Sequence, residues 1–183
     1  MDNGASSYRR FLAGDDEGLA EIVREYKDGL ILYLNGYVRN LYIAEELAED
    51  TFFRLITKRP RFSQKSSFKS WLYAIGRNVA VDFVRRNSKQ ISVSAEGMEV
   101  LGKELSLEEA YIREESKAEV YKALSKLSVD YRNVLWLSFF EGFSNREVAK
   151  VMKKSDRQVK NLLYRAKQSL RSILEKEGFH YEK

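Results

Sequence analysis

Apolar positions recur at three- and four-residue steps along most of this chain, and that spacing predicts helices rather than strands. From Asp15 to Arg39, Leu19, Ile22, Val23, Tyr26, Leu30, Tyr33 and Tyr37 share the pattern. Tyr42 to Thr57 is a second predicted helix, with Ile43, Leu47, Phe52, Phe53, Leu55 and Ile56 apolar and Glu45, Glu46, Glu49 and Asp50 on its flank. Pro60 should stop it, because proline has no amide hydrogen to donate and its ring clashes with the preceding turn. A short basic loop, Arg61 to Ser67, follows. Ser67 is placed to cap a third helix running to about Asn87. Phe68, Leu72, Ile75, Val79 and Phe83 make its apolar stripe; Trp71 lies beside the stripe and reads as core, while Arg77, Asn78, Val81 and Arg85 lie on another face. From Ser88 to Leu105 the periodicity fails, and Gly97, Gly102 and scattered Ser and Glu mark a flexible linker.

Helices resume behind three capping boxes, Ser106-x-x-Glu109, Ser144-x-x-Glu147 and Ser155-x-x-Gln158. In such a box the serine hydroxyl and the third residue's side chain satisfy each other's orphan amides. The first opens a helix to about Leu127. Val129 to Glu141 is the next, ending in a turn that suits Gly142. Ser144 to about Met152 is short, and Ser155 to about Glu177 is long. Short helix, tight turn and longer helix is the helix-turn-helix layout. On the long helix Val159, Leu162, Leu163, Ala166, Leu170 and Ile173 form the inner side, and Arg157, Lys160, Asn161, Tyr164 and Gln168 share the other. Those are side chains that read base edges or grip phosphate, although an amphipathic helix with a merely solvated face has the same pattern.

Composition narrows the chemistry. The 183 residues contain no cysteine, one histidine (His180) and one proline. Disulfides, thiol nucleophiles and cysteine metal sites are excluded, and a histidine-based triad or metal centre is not expected. No cofactor and no enzymatic activity are expected. The polar start carries no apolar targeting segment, and the run Val134 to Phe140 is far short of the roughly 20 residues of a membrane span. A cytoplasmic protein with no membrane insertion and no small-molecule substrate is the expectation.

The formal net charge of +5 conceals a sharper pattern. Residues 1–50 carry −6, residues 54–89 carry +9, residues 90–113 carry −3 and residues 153–171 carry +6. Two basic blocks with interleaved aromatics, separated by an acidic stretch, suggest two contacts with one polyanion.

Four segments together resemble a bacterial RNA polymerase sigma factor, of the extracytoplasmic-function (ECF) group of the sigma-70 family. Ala44-Glu45-Glu46-Leu47-Ala48-Glu49-Asp50-Thr51-Phe52-Phe53-Arg54-Leu55 resembles the family's polymerase-binding helix. Phe68-Lys69-Ser70-Trp71-Leu72-Tyr73-Ala74-Ile75-Gly76-Arg77-Asn78, followed by Asp82 and Arg85-Arg86, resembles its promoter-melting helix. Gly142-Phe143-Ser144-Asn145-Arg146-Glu147-Val148-Ala149 and the stretch Ser155 to Lys167 resemble its helix-turn-helix. The resemblance covers about residues 8–175. Glu49-Asp50 stands where the family usually has Gln-Glu, Ser128 where it often has Pro, and Gln158 where it often has Thr.

The resemblance implies an all-α chain of two small helical domains joined by a flexible linker: sigma region 2 at 8–88, linker at 89–105 and sigma region 4 at 106–177. It implies core RNA polymerase and promoter DNA as partners, and an anti-sigma factor as a further one. Glu45, Glu46, Glu49, Asp50, Phe53 and Arg54 would dock on the polymerase, with Phe52, Phe53 and Leu55 divided between core and interface. Phe62, Ser63, Gln64, Lys65, Arg77, Asn78, Asp82 and Arg85 would hold and melt the −10 element. Arg157, Gln158, Lys160, Asn161, Tyr164, Arg165 and Lys167 would meet the −35 element. The alternative is a stand-alone helix-turn-helix transcription regulator, which would need neither the acidic docking helix nor the melting helix.

Overall fold

Residues 4–94 and 115–178 are described by a computed structural model, and all their regular elements are helical. The first unit holds α1 (Ala5–Leu12), α2 (Asp16–Val38), α3 (Leu41–Lys58) and α4 (Phe68–Ser94). The second holds α5 (Glu115–Ser125), α6 (Val129–Leu135) continuing into a π-helical segment (Trp136–Phe140), α7 (Asn145–Met152) and α8 (Asp156–Lys176).

Local chemistry sets the helix ends. Asp15 caps α2 by accepting from the Glu17 amide at 3.1 Å, and Asn40 caps α3 from the Ile43 amide at 3.1 Å. Arg39 and Arg59, at φ 52° and 41°, turn left-handed to end α2 and α3, and Pro60 follows the second turn. Ser67 Oγ accepts from the Ser70 amide at 3.3 Å at the head of α4. Both boxes expected within α7 and α8 form, with Ser144–Glu147 and Ser155–Gln158 reciprocally bonded. Gly142 adopts φ +70°, the turn expected of it.

In the first unit α2 is the spine on which α1, α3 and α4 pack. Ile22, Leu30, Ile31, Tyr33 and Leu34 are fully buried along it. Gly18 lets α1 approach, since a Cβ there would lie 2.2 Å from the Ser7 carbonyl oxygen. Tyr8, Phe62, Phe68 and Trp71 form an aromatic block with neighbouring centroids 5.2–5.6 Å apart. Trp71 is thus a packing residue. In the second unit α8 packs on α5, α6 and α7, burying Val159, Ala166 and Leu174.

Several elements differ from the sequence reading. Helix α1 was not foreseen. Helix α4 runs on to Ser94, beyond the end near Asn87 that the apolar stripe predicted. The segment Val129 to Glu141 changes from α to π pitch at Trp136, where the Trp136 and Phe140 rings stack 4.5 Å apart, 7° from parallel. The Ser106–Glu109 box, most of the linker and His180 lie outside the described residues.

The two units are docked: α4 packs on α7, α2 packs on α6, and their buried side chains form one continuous cluster. No described helix is long and apolar enough to cross a membrane.

Candidate nucleic-acid interface

The loop between α3 and α4 is built on aromatic anchoring. Phe62 is half-buried, edge-on to Phe68, and so fixes the loop from beneath, while Ser63, Gln64 and Lys65 stay exposed. Tyr8 holds its approach by donating to the Pro60 carbonyl at 2.7 Å. Gln64 sits at φ 57°, a left-handed conformation that costs a non-glycine residue on the order of 1 kcal/mol and is common where a loop presents itself to a ligand. Arg61, Phe62, Ser63, Gln64 and Lys65 line an open pocket of about 520 Å³, in the size range of ligand-holding clefts.

Helix α4 continues the surface. Arg77 and Asn78 are half-buried, and Arg77 lies near enough to Tyr33 and Tyr37 for its charge to oppose the upward pKa shift that burial imposes on both phenols. Asp82 Oδ1 accepts from Arg85 Nη2 at 3.3 Å, so the carboxylate steadies an exposed guanidinium.

Helix α8 presents Arg157, Gln158, Lys160, Asn161, Tyr164, Arg165 and Lys167, all exposed, with Tyr164 at 67%. Two of these are already engaged. Gln158 Oε1 accepts from the Ser155 amide at 2.8 Å, which leaves its NH₂ group for a ligand but removes the two-sided amide grip used on adenine. Lys167 Nζ lies 4.9 Å from the centre of the Phe139 ring.

Helix α3 resolves the division among its aromatics. Phe52 and Leu55 are core, while Phe53 is 60% exposed. Glu46, Glu49 and Asp50 are exposed beside it and Arg54 is half-buried. Glu45 pairs with Lys27 at 3.0 Å, which raises the Lys27 pKa. Tyr42 and Ile56, which the sequence reading placed on this helix without a docking role, are exposed as well; Ile56 follows Phe53 by three residues and so shares its face. Arg61, the first residue of the basic loop read from the sequence, lines the pocket with the four residues that follow it.

The residues proposed for each contact lie on α3, on the α3–α4 loop with α4, and on α8, with Glu45, Arg54, Phe62, Arg77, Asn78 and Asp82 half-buried and the others exposed. Among the described residues no group of three His, Cys, Asp or Glu side chains is arranged to hold a metal ion.

The sequence matches Sigma-70 region 2 over residues 22–90 and Sigma-70 region 4 over residues 117–170. It is 29% identical over 155 residues to the ECF RNA polymerase sigma factor SigX of Bacillus subtilis, covering 82% of this chain and 80% of that protein. It is 26% identical over 153 residues to SigM of the same organism, covering 84% of this chain and 93% of the relative. The fold is shared with the sigma factor RpoE of Bartonella quintana, solved in complex with the anti-sigma factor NepR. That likeness has a TM-score of 0.65 at 21% identity and covers 85% of this chain and 96% of the other.

Proposed function

The chain belongs to the sigma-70 family, in its ECF group, as a factor for promoter recognition and transcription initiation, and we propose that the residues on α3, on the α3–α4 loop with α4, and on α8 divide that work. Sigma factors lend specificity, and catalysis stays with the polymerase. The observation that carries the assignment is the outward face of α8, a row of Arg, Lys, Asn and Tyr on the second helix of a helix-turn-helix. Lying in the major groove, Arg157, Gln158, Lys160 and Asn161 would meet the −35 element near the helix N-terminus, and Tyr164, Arg165 and Lys167 would grip phosphate.

The pocket loop Phe62, Ser63, Gln64 and Lys65, with Arg77, Asn78, Asp82 and Arg85 on α4, takes the −10 element. An extruded base needs a pocket and the freed strand needs cations beside it. The acidic and apolar face of α3, Glu45, Glu46, Glu49, Asp50, Phe53 and Arg54, docks on core polymerase, where exposed carboxylates steer and the aromatic anchors. Region 2 spans 8–88, a linker 89–105 and region 4 106–177. The protein acts in the cytoplasm, where its polymerase is, and an anti-sigma factor holds it when it is not needed.

The test is transcription with purified core polymerase from a promoter mapped after overexpression. Substituting Arg157→Ala and Lys160→Ala together should abolish −35 binding and leave polymerase binding intact. Equal loss of both would show that α8 is not the recognition helix. Binding should also weaken steeply as salt is raised, because neutralised phosphates release counterions.

A further inference from the structure

Helix α1 has two working faces. Ser7 and Arg10, three residues apart, turn to α2: Ser7 Oγ donates to Glu21 Oε2 at 2.7 Å, and Arg10 Nη1 pairs with Glu21 Oε1 at 2.9 Å. Tyr8 and Phe11, also three residues apart, are buried and turn to the aromatic block and the start of the pocket loop. The Arg59 guanidinium lies 5.3 Å from the centre of the Phe11 ring. The Tyr8 hydroxyl donates to the Pro60 carbonyl at 2.7 Å, the usual length of such a bond. Gly4 brings the helix start down on the same block, since a Cβ there would lie 2.7 Å from Phe68 Cδ1. Helix α1 precedes residues 22–90, the span matched to region 2.

The pocket loop depends on side chains for its shape. Among the described residues, none of the backbone-to-backbone hydrogen bonds outside the helices involves positions 60–66. Arg59 and Gln64 both sit in the left-handed region, which these residues do not favour, so something outside the loop must hold it. Lys150 of α7 reaches the Lys65 carbonyl at the far end. Phe62 rests on the rings of Phe68 and Trp71, with centroids 5.6 and 5.2 Å away. Tyr8 packs on those same two rings, at 5.5 and 5.3 Å, and its hydroxyl fixes the loop's entry. A phenylalanine would fill the same space, so packing alone does not call for the hydroxyl. Burying a hydroxyl costs free energy unless it is bonded, and here its partner is the loop. Burial also keeps the phenol protonated well above neutral pH, so the donor is constant.

We propose that α1 is a positioning element of the −10 site: Tyr8 sets the shape of the pocket loop by holding the Pro60 carbonyl and backing the two rings that carry Phe62. The inference rests on the assignment of that loop to the −10 element. Tyr8 is 1% exposed, so it touches no DNA and acts through the loop. Pocket shape decides which extruded base is accepted and how firmly it is kept, whereas the face of α8 and the docking face of α3 do not involve α1. Loss of the hydroxyl therefore weakens one contact of the three selectively.

The test is Tyr8→Phe in the full chain, assembled with core polymerase; the ring stays, so the core stays filled. Binding of a single-stranded non-template oligonucleotide spanning the mapped −10 element should weaken about fivefold, the worth of one hydrogen bond. Affinity for core polymerase and for a −35 duplex should not change. Replacing the extruded base should also cost the variant less than the wild type, because a looser pocket discriminates less. Unchanged oligonucleotide affinity and base preference overturn the proposal. Equal weakening of the −35 duplex overturns it too, since that is the signature of a general folding defect. A second readout needs no DNA. Trypsin cleaves exposed, locally mobile segments, and Arg61 and Lys65 lie in the loop. Cleavage there should be about fivefold faster in the variant under native conditions, and an unchanged rate overturns the positioning role. If Gln64→Ala with Lys65→Ala leaves oligonucleotide binding intact, the assignment of the loop to the −10 element fails, while the cleavage rates still decide what Tyr8 does.

Discussion

Arg132 is buried without a carboxylate beside it. Its guanidinium donates to the carbonyls of Leu124, Ser125 and Leu127, and so closes the C-terminal end of α5, and across the junction to Gly36. Burial, aided by the nearby Arg39 charge, lowers its pKa to about 10, which still leaves it protonated at neutral pH. Arg132→Met should cost roughly 2–4 kcal/mol in a urea melt, because buried carbonyls lose their donors. Arg132→Lys should recover little, since an ammonium cannot copy the planar fork; full recovery would refute the capping role. Tyr8 makes a second case. Burial pushes its phenol up to about 12, against the charge of Arg59. A group raised in the folded state favours folding below its unfolded pKa near 10 and loses that contribution as pH rises through 10 to 12. Unfolding midpoints should therefore fall across that interval, with a slope that Tyr8→Phe reduces but does not abolish, because burial raises Tyr33 and Tyr37 as well. Neither role was legible in the sequence. Arg132 looks like one more basic residue of a helix, and its partners are carbonyls, which leave no trace in residue identity.

Helix starts were legible because their signals are local. A capping box is written within four residues, and Ser144–Glu147 and Ser155–Gln158 form as read. Phe52 and Phe53 were not separable beforehand, since adjacent residues on α3 point to different neighbours only once α2 and α4 are in place. The π-helical turn was invisible for a like reason: Tyr121 of the second unit packs against both the Trp136 and the Phe140 ring, a contact that no local pattern shows. Helix α1 depends on two apolar residues, Tyr8 and Phe11, too few to show a period, yet both are buried. At this scale the box at α8 joins stability to recognition. Ser155→Ala should lower the thermal midpoint by an amount equivalent to about 1 kcal/mol. Losing the hydroxyl that accepts from the Gln158 amide also loosens the helix start that positions Gln158, whose Oε1 keeps the backbone amide of residue 155 as its donor. The two effects are separable by measuring −35 duplex binding well below the melting transition. If the cap restrains Gln158, base preference at the position it faces should change while overall affinity changes little. An unchanged preference would mean that Gln158 serves only as a cap.

For the whole molecule, the charge blocks were readable from the sequence and the docking was not. The acidic face of α3 and the basic loop and α8 are each contiguous in the chain. The junction joins residues far apart in it, Gly36 with Arg132 and Ser67 with Glu147, and no local pattern in the chain marks it. Because Glu147 serves both the α7 cap and the junction, acid should act on the two together. Burial opposes its ionisation, but hydrogen bonds from Ser67 and from the Ser144 amide and hydroxyl prevail and hold its pKa below the ordinary carboxylate value of 4.5. A depressed carboxylate contributes stability above its unfolded pKa and loses it as pH falls through its folded one. Part of that contribution, the share carried by Ser67, belongs to the junction between the units rather than to the folding of either one. As pH falls below 4.5 the radius of gyration should therefore rise while helicity by circular dichroism is still retained. Glu147→Gln can accept the same hydrogen bonds without titrating, so it should flatten that rise. If scattering and helicity change together in the wild type, and the glutamine variant follows the same curve, the junction is not sensing Glu147. In that case acid acts through other carboxylates, such as Glu21, held low by Ser7 and Arg10.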